Sequence, residues 1–244
     1  MTHKGFDDKQ ANRPIPVRDL SNKSKKSVAL IFGVTLLCCA AMAFVDGVLR
    51  PDYAIKSAIK IALFLLLPLL ISRSNPQVIY LQLLRPKKKG LLAACGLGIA
   101  LYVLILGGFF LVRPFFDFSN IAGALTTNAG VSKDNFLYVS LYISFANSFL
   151  EEFFFRGFVF TNLKQLSGKI PAYVFSAIIF SLYHVAMMVG WFSPLLFLLV
   201  LVGLTTGGII FNWLNEKLDT IYGSWLTHMF ANFAINTIGF SLLN

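Results

Sequence analysis

The sequence predicts an all-α protein, a polytopic bundle of about seven membrane-spanning helices with a polar site in its interior. Three observations lead there. Hydrophobic residues make up 57% of the 244 positions, 25 of them Phe, and the mean hydropathy is +0.72; a soluble domain is nearer ~45–50% apolar. Apolar runs close to the ~20 residues that cross a bilayer recur along the chain, divided by polar loops. A small set of ionisable and amide side chains falls within three of those runs, spaced to share helix faces.

Residues 1–27 are polar, contain Pro14 and Pro16 and end in Lys23, Lys25 and Lys26, which marks a flexible basic cytoplasmic tail. Val28 to Leu49 follows at spanning length after a tail too long for a signal peptide, so it is read as a retained first span closed by Arg50-Pro51-Asp52. The second span is about Ile55 to Ile71, interrupted by Pro68 and ended by Ser72-Arg73-Ser74-Asn75-Pro76. Arg73, Arg85 and the run Lys87-Lys88-Lys89 put the next loop on the cytoplasmic side, in agreement with the tail.

Gly90 to Val112 is the third span. The loop from Arg113 to Asn135, poor in positive charge, lies outside with Phe115, Phe116 and Phe118 at the interface. The fourth span runs from Phe136 to about Phe160, with Lys164 and Lys169 at its cytoplasmic exit. Ile170 to Val189 is the fifth, followed by a turn near Gly190 and Pro194. Leu195 to Trp213 is the sixth, where Gly203, Thr205, Thr206, Gly207 and Gly208 suit close helix approach. A loop with Glu216, Lys217 and Asp219 leads to the seventh, Ile221 to Leu243. The integral membrane domain is therefore 28–244, multi-pass, with the N-terminus cytoplasmic.

The formal charge of +10 does not point to nucleic acid, because Lys and Arg gather in the tail and at segment ends. That placement serves topology and contact with anionic lipid. Cys38, Cys39 and Cys95 all fall within spans and form neither a disulfide framework nor a CxxC metal site, so they read as packing residues. The C-terminal Ser-Leu-Leu-Asn carries no lipidation cysteine, so the chain is not expected to be a prenylation substrate itself.

The fourth span holds the costliest residues. Phe149 to Phe160 reads F-L-E-E-F-F-F-R-G-F-V-F, and each charge in such a setting costs about 2.5–3.5 kcal/mol on insertion scales. In a helix Glu152 and Arg156 are four apart and can pair, whereas Glu151 lies about 100° round and is left available. Asn147, four before Glu151, extends the same polar face. The fifth span aligns Ser176, Phe180 and His184; the seventh aligns His228, Asn232 and Asn236. Taken singly, a histidine here packs, an asparagine joins helices, and Glu152 with Arg156 is a structural ion pair. Three helices burying such groups together need a common reason.

Hydrolysis inside a membrane supplies one. A carboxylate can take a proton from water, a neutral imidazole can orient that water, bind a metal or pass the proton to a leaving amine, and an imidazole or amide can donate to an oxyanion. Two histidines and a glutamate also make a zinc set with an open position. The residues leave both mechanisms open.

Glu151-Glu152-x-x-x-Arg156-Gly157, then Phe180-x-x-x-His184, then His228-x-x-x-Asn232, in that order on successive membrane helices, resembles the CPBP family, the CAAX prenyl proteases and bacteriocin-processing or immunity (Abi) proteins. The motifs cover about a hundred residues, and the first spans are not diagnostic. The resemblance implies an intramembrane endopeptidase with a catalytic core at about 136–244. In it Glu151 is the general base, His184 assists or ligates a metal, His228 and Asn232 stabilise the oxyanion or complete the metal site, and Glu152, Arg156 and Asn147 support. The cofactor is then either none or one Zn, held by Glu151, His184 and His228; the metal-free route is preferred. Rhomboid-type, H-E-x-x-H and aspartyl signatures are absent.

The expected substrate is a membrane-associated peptide or protein, lipidated at its C-terminus or a leader, pheromone or bacteriocin precursor in a bacterial cell membrane. The alternatives are a non-catalytic membrane scaffold or bacteriocin self-immunity protein on the same fold, and a transporter or proton pathway along the polar ladder.

Overall fold

A computed structural model describes residues 22–78, 84, 87, 90–121, 123 and 131–243. The described residues contain helices and no strands. Most of the predicted tail and the basic residues Arg85, Lys88 and Lys89 lie outside them. The last six tail positions do not: helix α1 begins at Asn22 (Asn22–Phe44) and runs into a π-helical turn, Val45–Leu49.

Left-handed Arg50 stops α1, and Asp52 starts α2 by accepting from the Ile55 amide at 2.9 Å, an N-cap. Helix α2 comprises Tyr53–Ile61, a π-helical turn Ala62–Leu66 and Leu67–Ser74. The interruption expected at Pro68 does not occur. The chain stays helical, because the wide turn before Pro68 absorbs its missing N–H and ring clash.

Helix α3 is Leu91–Val112. Helix α4 is a composite of Phe136–Tyr142, a π-helical turn Ile143–Asn147, Ser148–Glu152, a second π-helical stretch Phe153–Phe160, and Thr161–Ser167. It continues seven residues past its expected end and is parted from α5 by Gly168 alone, at φ 98°, where a side chain would be strained. Helix α5 is Lys169–Tyr183 with a short continuation Val185–Met188, α6 is Pro194–Leu218 and α7 is Ile221–Leu243.

Among the described residues, five helices are long and apolar enough to cross a membrane: Ser24–Leu49, Tyr53–Ser74, Leu91–Phe115, Lys169–Met188 and Pro194–Leu218. Helices α4 and α7 are not among the five, so the expected count of about seven is not confirmed by this criterion. These two carry Glu151, Glu152, Arg156, His228 and their amide neighbours, and that polar content is what lowers their hydropathy.

The core forms around α4. Phe153, Phe154, Phe155, Phe158 and Phe160 are all buried, and Phe154 stacks on Phe64 of α2 with centroids 4.2 Å apart. The outer faces of the bundle instead present large apolar side chains such as Leu37, Leu92, Leu104 and Leu111, as lipid requires. On α6 only Gly208 makes a helix–helix approach that excludes a side chain: a Cβ there would lie 3.0 Å from the Ala177 Cα, whereas Gly203 has nothing within 4 Å and Gly207 meets only Phe211 of its own helix.

Helix α7 is tied to α4 through the first π-helical turn. The Asn232 amide donates to the Ile143 carbonyl at 3.2 Å, and that of Asn236 to the Ser140 carbonyl at 3.2 Å and Ser144 Oγ at 3.0 Å. Trp225 Nε1 donates to the Phe145 carbonyl at 3.0 Å and Ser148 Oγ at 3.1 Å. A wide turn distorts the regular hydrogen-bond ladder, and these side chains satisfy its carbonyls.

Candidate active site

Between the two wide turns of α4 the short regular segment Ser148–Glu152 aims its carboxylates inward, and both are buried, Glu151 at 2% and Glu152 at 0% exposure. The two oxygens of Glu151 face different neighbours. Oε1 accepts from Lys60 Nζ and from Asn147 Nδ2, each at 2.9 Å. Oε2 lies 3.7 Å from His184 Nε2 and 3.8 Å from His228 Nε2. Those separations are too long for direct hydrogen bonds. They leave three polar atoms from three helices turned toward one another.

Each imidazole is fixed from behind. The His184 backbone N–H turns to the Ser181 carbonyl at 3.1 Å, and its ring Nδ1 donates to the Phe180 carbonyl at 2.7 Å. A carbonyl only accepts, so Nδ1 carries the hydrogen and Nε2 of the neutral ring presents a lone pair to Glu151. His228 Nδ1 sits 2.9 Å from Glu152 Oε1, and with an ionised carboxylate it is again the donor. Phe211 stacks on the His228 ring at 4.9 Å, and Phe180 meets both imidazoles edge-on at 4.8 and 5.7 Å.

The expected pairing of Glu152 with Arg156 is present, at 3.4 Å, with both side chains fully buried. Arg156 is held largely by other means: its guanidinium lies 4.2 Å from the Phe180 ring centre and 5.1 Å from that of Phe211, and Nη2 reaches the Gly208 carbonyl at 3.4 Å. Glu152 thereby links Arg156 to His228. Asn147 stands beside Glu151 as expected. The Asn232 amide is engaged with the Ile143 carbonyl, one of its two hydrogens remaining for another acceptor.

One charged residue at the site escapes the sequence reading. Lys60 of α2 is 5% exposed; its ammonium contacts Glu151 and Asn147 and lies 5.0 Å from the Tyr183 ring centre. Glu151, expected to be available because it lies about 100° round the helix from Arg156, has a cationic partner in Lys60 at 2.9 Å. A signal exists in the sequence, since Lys56 and Lys60 interrupt an apolar run four residues apart, as Glu152 and Arg156 do. Lys56 pairs with Asp46 at 2.8 Å.

The same donor set bears on a metal. Among the described residues, no group of three His, Cys, Asp or Glu side chains is placed to hold one. Ligand atoms of tetrahedral zinc at 2.0–2.1 Å lie ~3.3 Å apart, closer than the 3.7 and 3.8 Å found here, and the other Glu151 oxygen already meets the Lys60 ammonium. The residues in this arrangement do not fit a zinc ion.

Comparison with curated proteins finds no match, and comparison with solved structures finds none either. A family comparison does: residues 133–234 match the model described as Type II CAAX prenyl endopeptidase Rce1-like. The matched stretch takes in α4, α5, α6 and α7 as far as Ala234, and with it every residue that carries the resemblance. The chain is an integral membrane protein in which residues 133–234 are similar to the Rce1-like endopeptidase family.

Proposed function

We propose that the protein hydrolyses a peptide bond in a membrane-associated or lipidated substrate, with Glu151 as the base that activates water. The family match supports intramembrane endopeptidase activity in general. The observation that carries the finer reading is the convergence of Glu151 Oε2 with the Nε2 atoms of His184 and His228.

Water bound there donates one hydrogen to Glu151 Oε2 and the other to the His184 Nε2 lone pair, which turns its oxygen lone pairs toward a substrate carbonyl. Glu151 removes a proton as the water oxygen bonds to the carbonyl carbon. The carbonyl electrons move onto oxygen, and the resulting oxyanion is held by hydrogen bonds. The free hydrogen of Asn232 is one candidate donor. His228 is the other, in the form that has already taken a proton from bulk water at Nε2 before substrate binds; its positive charge is compensated by Glu152 at Nδ1 and it keeps that proton through the cycle. When the carbon–nitrogen bond breaks, the proton held by Glu151 passes to the leaving amine. No step runs through a metal.

The preferred substrate class is a leader, pheromone or bacteriocin precursor or a CAAX-type tail in a bacterial cell membrane. The N-terminus lies on the cytoplasmic side, where the basic segments meet anionic lipid. Glu151→Gln tests the reading while keeping an acceptor for Lys60. Loss of a general base lowers rate by about 10²–10⁴-fold, so peptides accumulating in cells that carry only this variant should be unprocessed by mass spectrometry although folded protein is present. Full processing by Glu151→Gln rejects the assignment, and a scaffold or immunity role would survive the change.

A further inference from the structure

We infer that Lys60 is a positioning residue for Glu151, so that α2, which lies outside the family-matched stretch 133–234, is a working part of the site. The inference rests on the reading of Glu151 as the base.

A carboxylate on a membrane helix has two equivalent oxygens and can rotate. Here Oε1 is held from two sides, by Lys60 Nζ and Asn147 Nδ2 at 2.9 Å each, and Asn147 Oδ1 in turn accepts from the same ammonium. The three groups close a ring of hydrogen bonds that leaves Oε2 as the oxygen facing the imidazoles. Lys60 is itself fixed: its ammonium lies over the Tyr183 ring at 5.0 Å and the Phe64 ring at 5.6 Å, Phe64 is stacked on Phe154, and Tyr183 immediately precedes His184. Burial of an ammonium needs a partner, and the partner chosen is the carboxylate that meets both histidines. Lys56, one turn earlier, pairs with Asp46 instead and supplies a control on the same helix.

The test combines turnover with stability, using full-length protein in detergent and a quenched-fluorescence peptide bearing a farnesylated CAAX terminus. Misplacing a reacting group by about an ångström costs about 10²-fold. Lys60→Met should therefore lower kcat about 10²-fold with KM changed less than about threefold, while Lys60→Arg stays within about tenfold of the parent and Lys56→Met within about threefold. In thermal unfolding, Lys60→Met and Glu151→Leu, which removes the acceptor altogether, should be non-additive, the double variant losing less than the sum of the two. Parental kcat in Lys60→Met, or equal loss of kcat in Lys56→Met, overturns the inference, as does additivity. If the unmodified protein does not cleave the peptide, the result counts against a CAAX-type tail as the substrate, and the unfolding cycle alone decides whether Lys60 holds Glu151.

Discussion

Helices α3 and α4 are both rich in apolar residues and could hardly be placed more differently. In α3 only Ala94, Gly98 and Phe109 are buried, and Leu92 is 86% exposed; in α4 every residue from Leu150 to Phe160 is buried. Lipid is an adequate solvent for α3, whose side chains ask nothing of the protein. The α4 segment carries two carboxylates and a guanidinium, and its environment must be built by its neighbours: α2 supplies Lys60, α5 and α6 supply the rings about Arg156, and α7 supplies His228. The more polar helix is therefore the more central one. Hydropathy selects α3 as a span and passes over α4 and α7 for the same reason.

The largest way to break this contrast is at Arg156. Arg156→Met keeps much of the side-chain volume and removes the charge, leaving Glu152 buried with only His228 as a partner. Removing one member of a buried pair costs about 3–5 kcal/mol. Thermal unfolding in detergent should show a loss of that order, with less folded protein recovered from membranes. Unchanged stability would mean that Glu152 needs no cation beyond His228 and that the aromatic seat of Arg156 is incidental.

Residue spacing makes much of α4 legible in the sequence. A pair four apart must share a helix face, so Glu152 with Arg156 and Asn147 with Glu151 can be read directly. Contacts between helices distant in sequence cannot. Lys60 lies 91 residues from Glu151, and its position as an isolated cation in an apolar run signals burial without naming its partner. Asp46 is equally mute about Lys56. The wide turns of α4 have no sequence signature, so nothing in the residue pattern shows that the Ile143 carbonyl occupies the Asn232 amide. Small residues on α6 announce a close approach, but the pattern cannot show that of its three glycines only Gly208 lies against the α5 backbone, because that depends on how the helices cross.

Helix α3 offers the sharper form of the contrast, since its two faces differ. A Cβ on Gly98 would fall 2.4 Å from the Phe230 ring of α7, an approach that forces movement. Gly98→Leu should cost about 1–3 kcal/mol, the range for overpacking, read as a lower unfolding midpoint in detergent. An unchanged midpoint would show that Phe230 has another rotamer to take.

Leu104 stands on the opposite side of the comparison at 68% exposure. Its truncation removes methyl groups that touch solvent lipid and leaves no cavity, so Leu104→Ala should change stability by less than about 0.5 kcal/mol and leave cleavage unaltered. The measurement is the same unfolding curve, taken beside Gly98→Leu. A loss from Leu104→Ala as large as that from Gly98→Leu would mean that the outer face of α3 is covered by protein in the membrane, and the division between lipid-solvated and protein-solvated helices would have to be redrawn there.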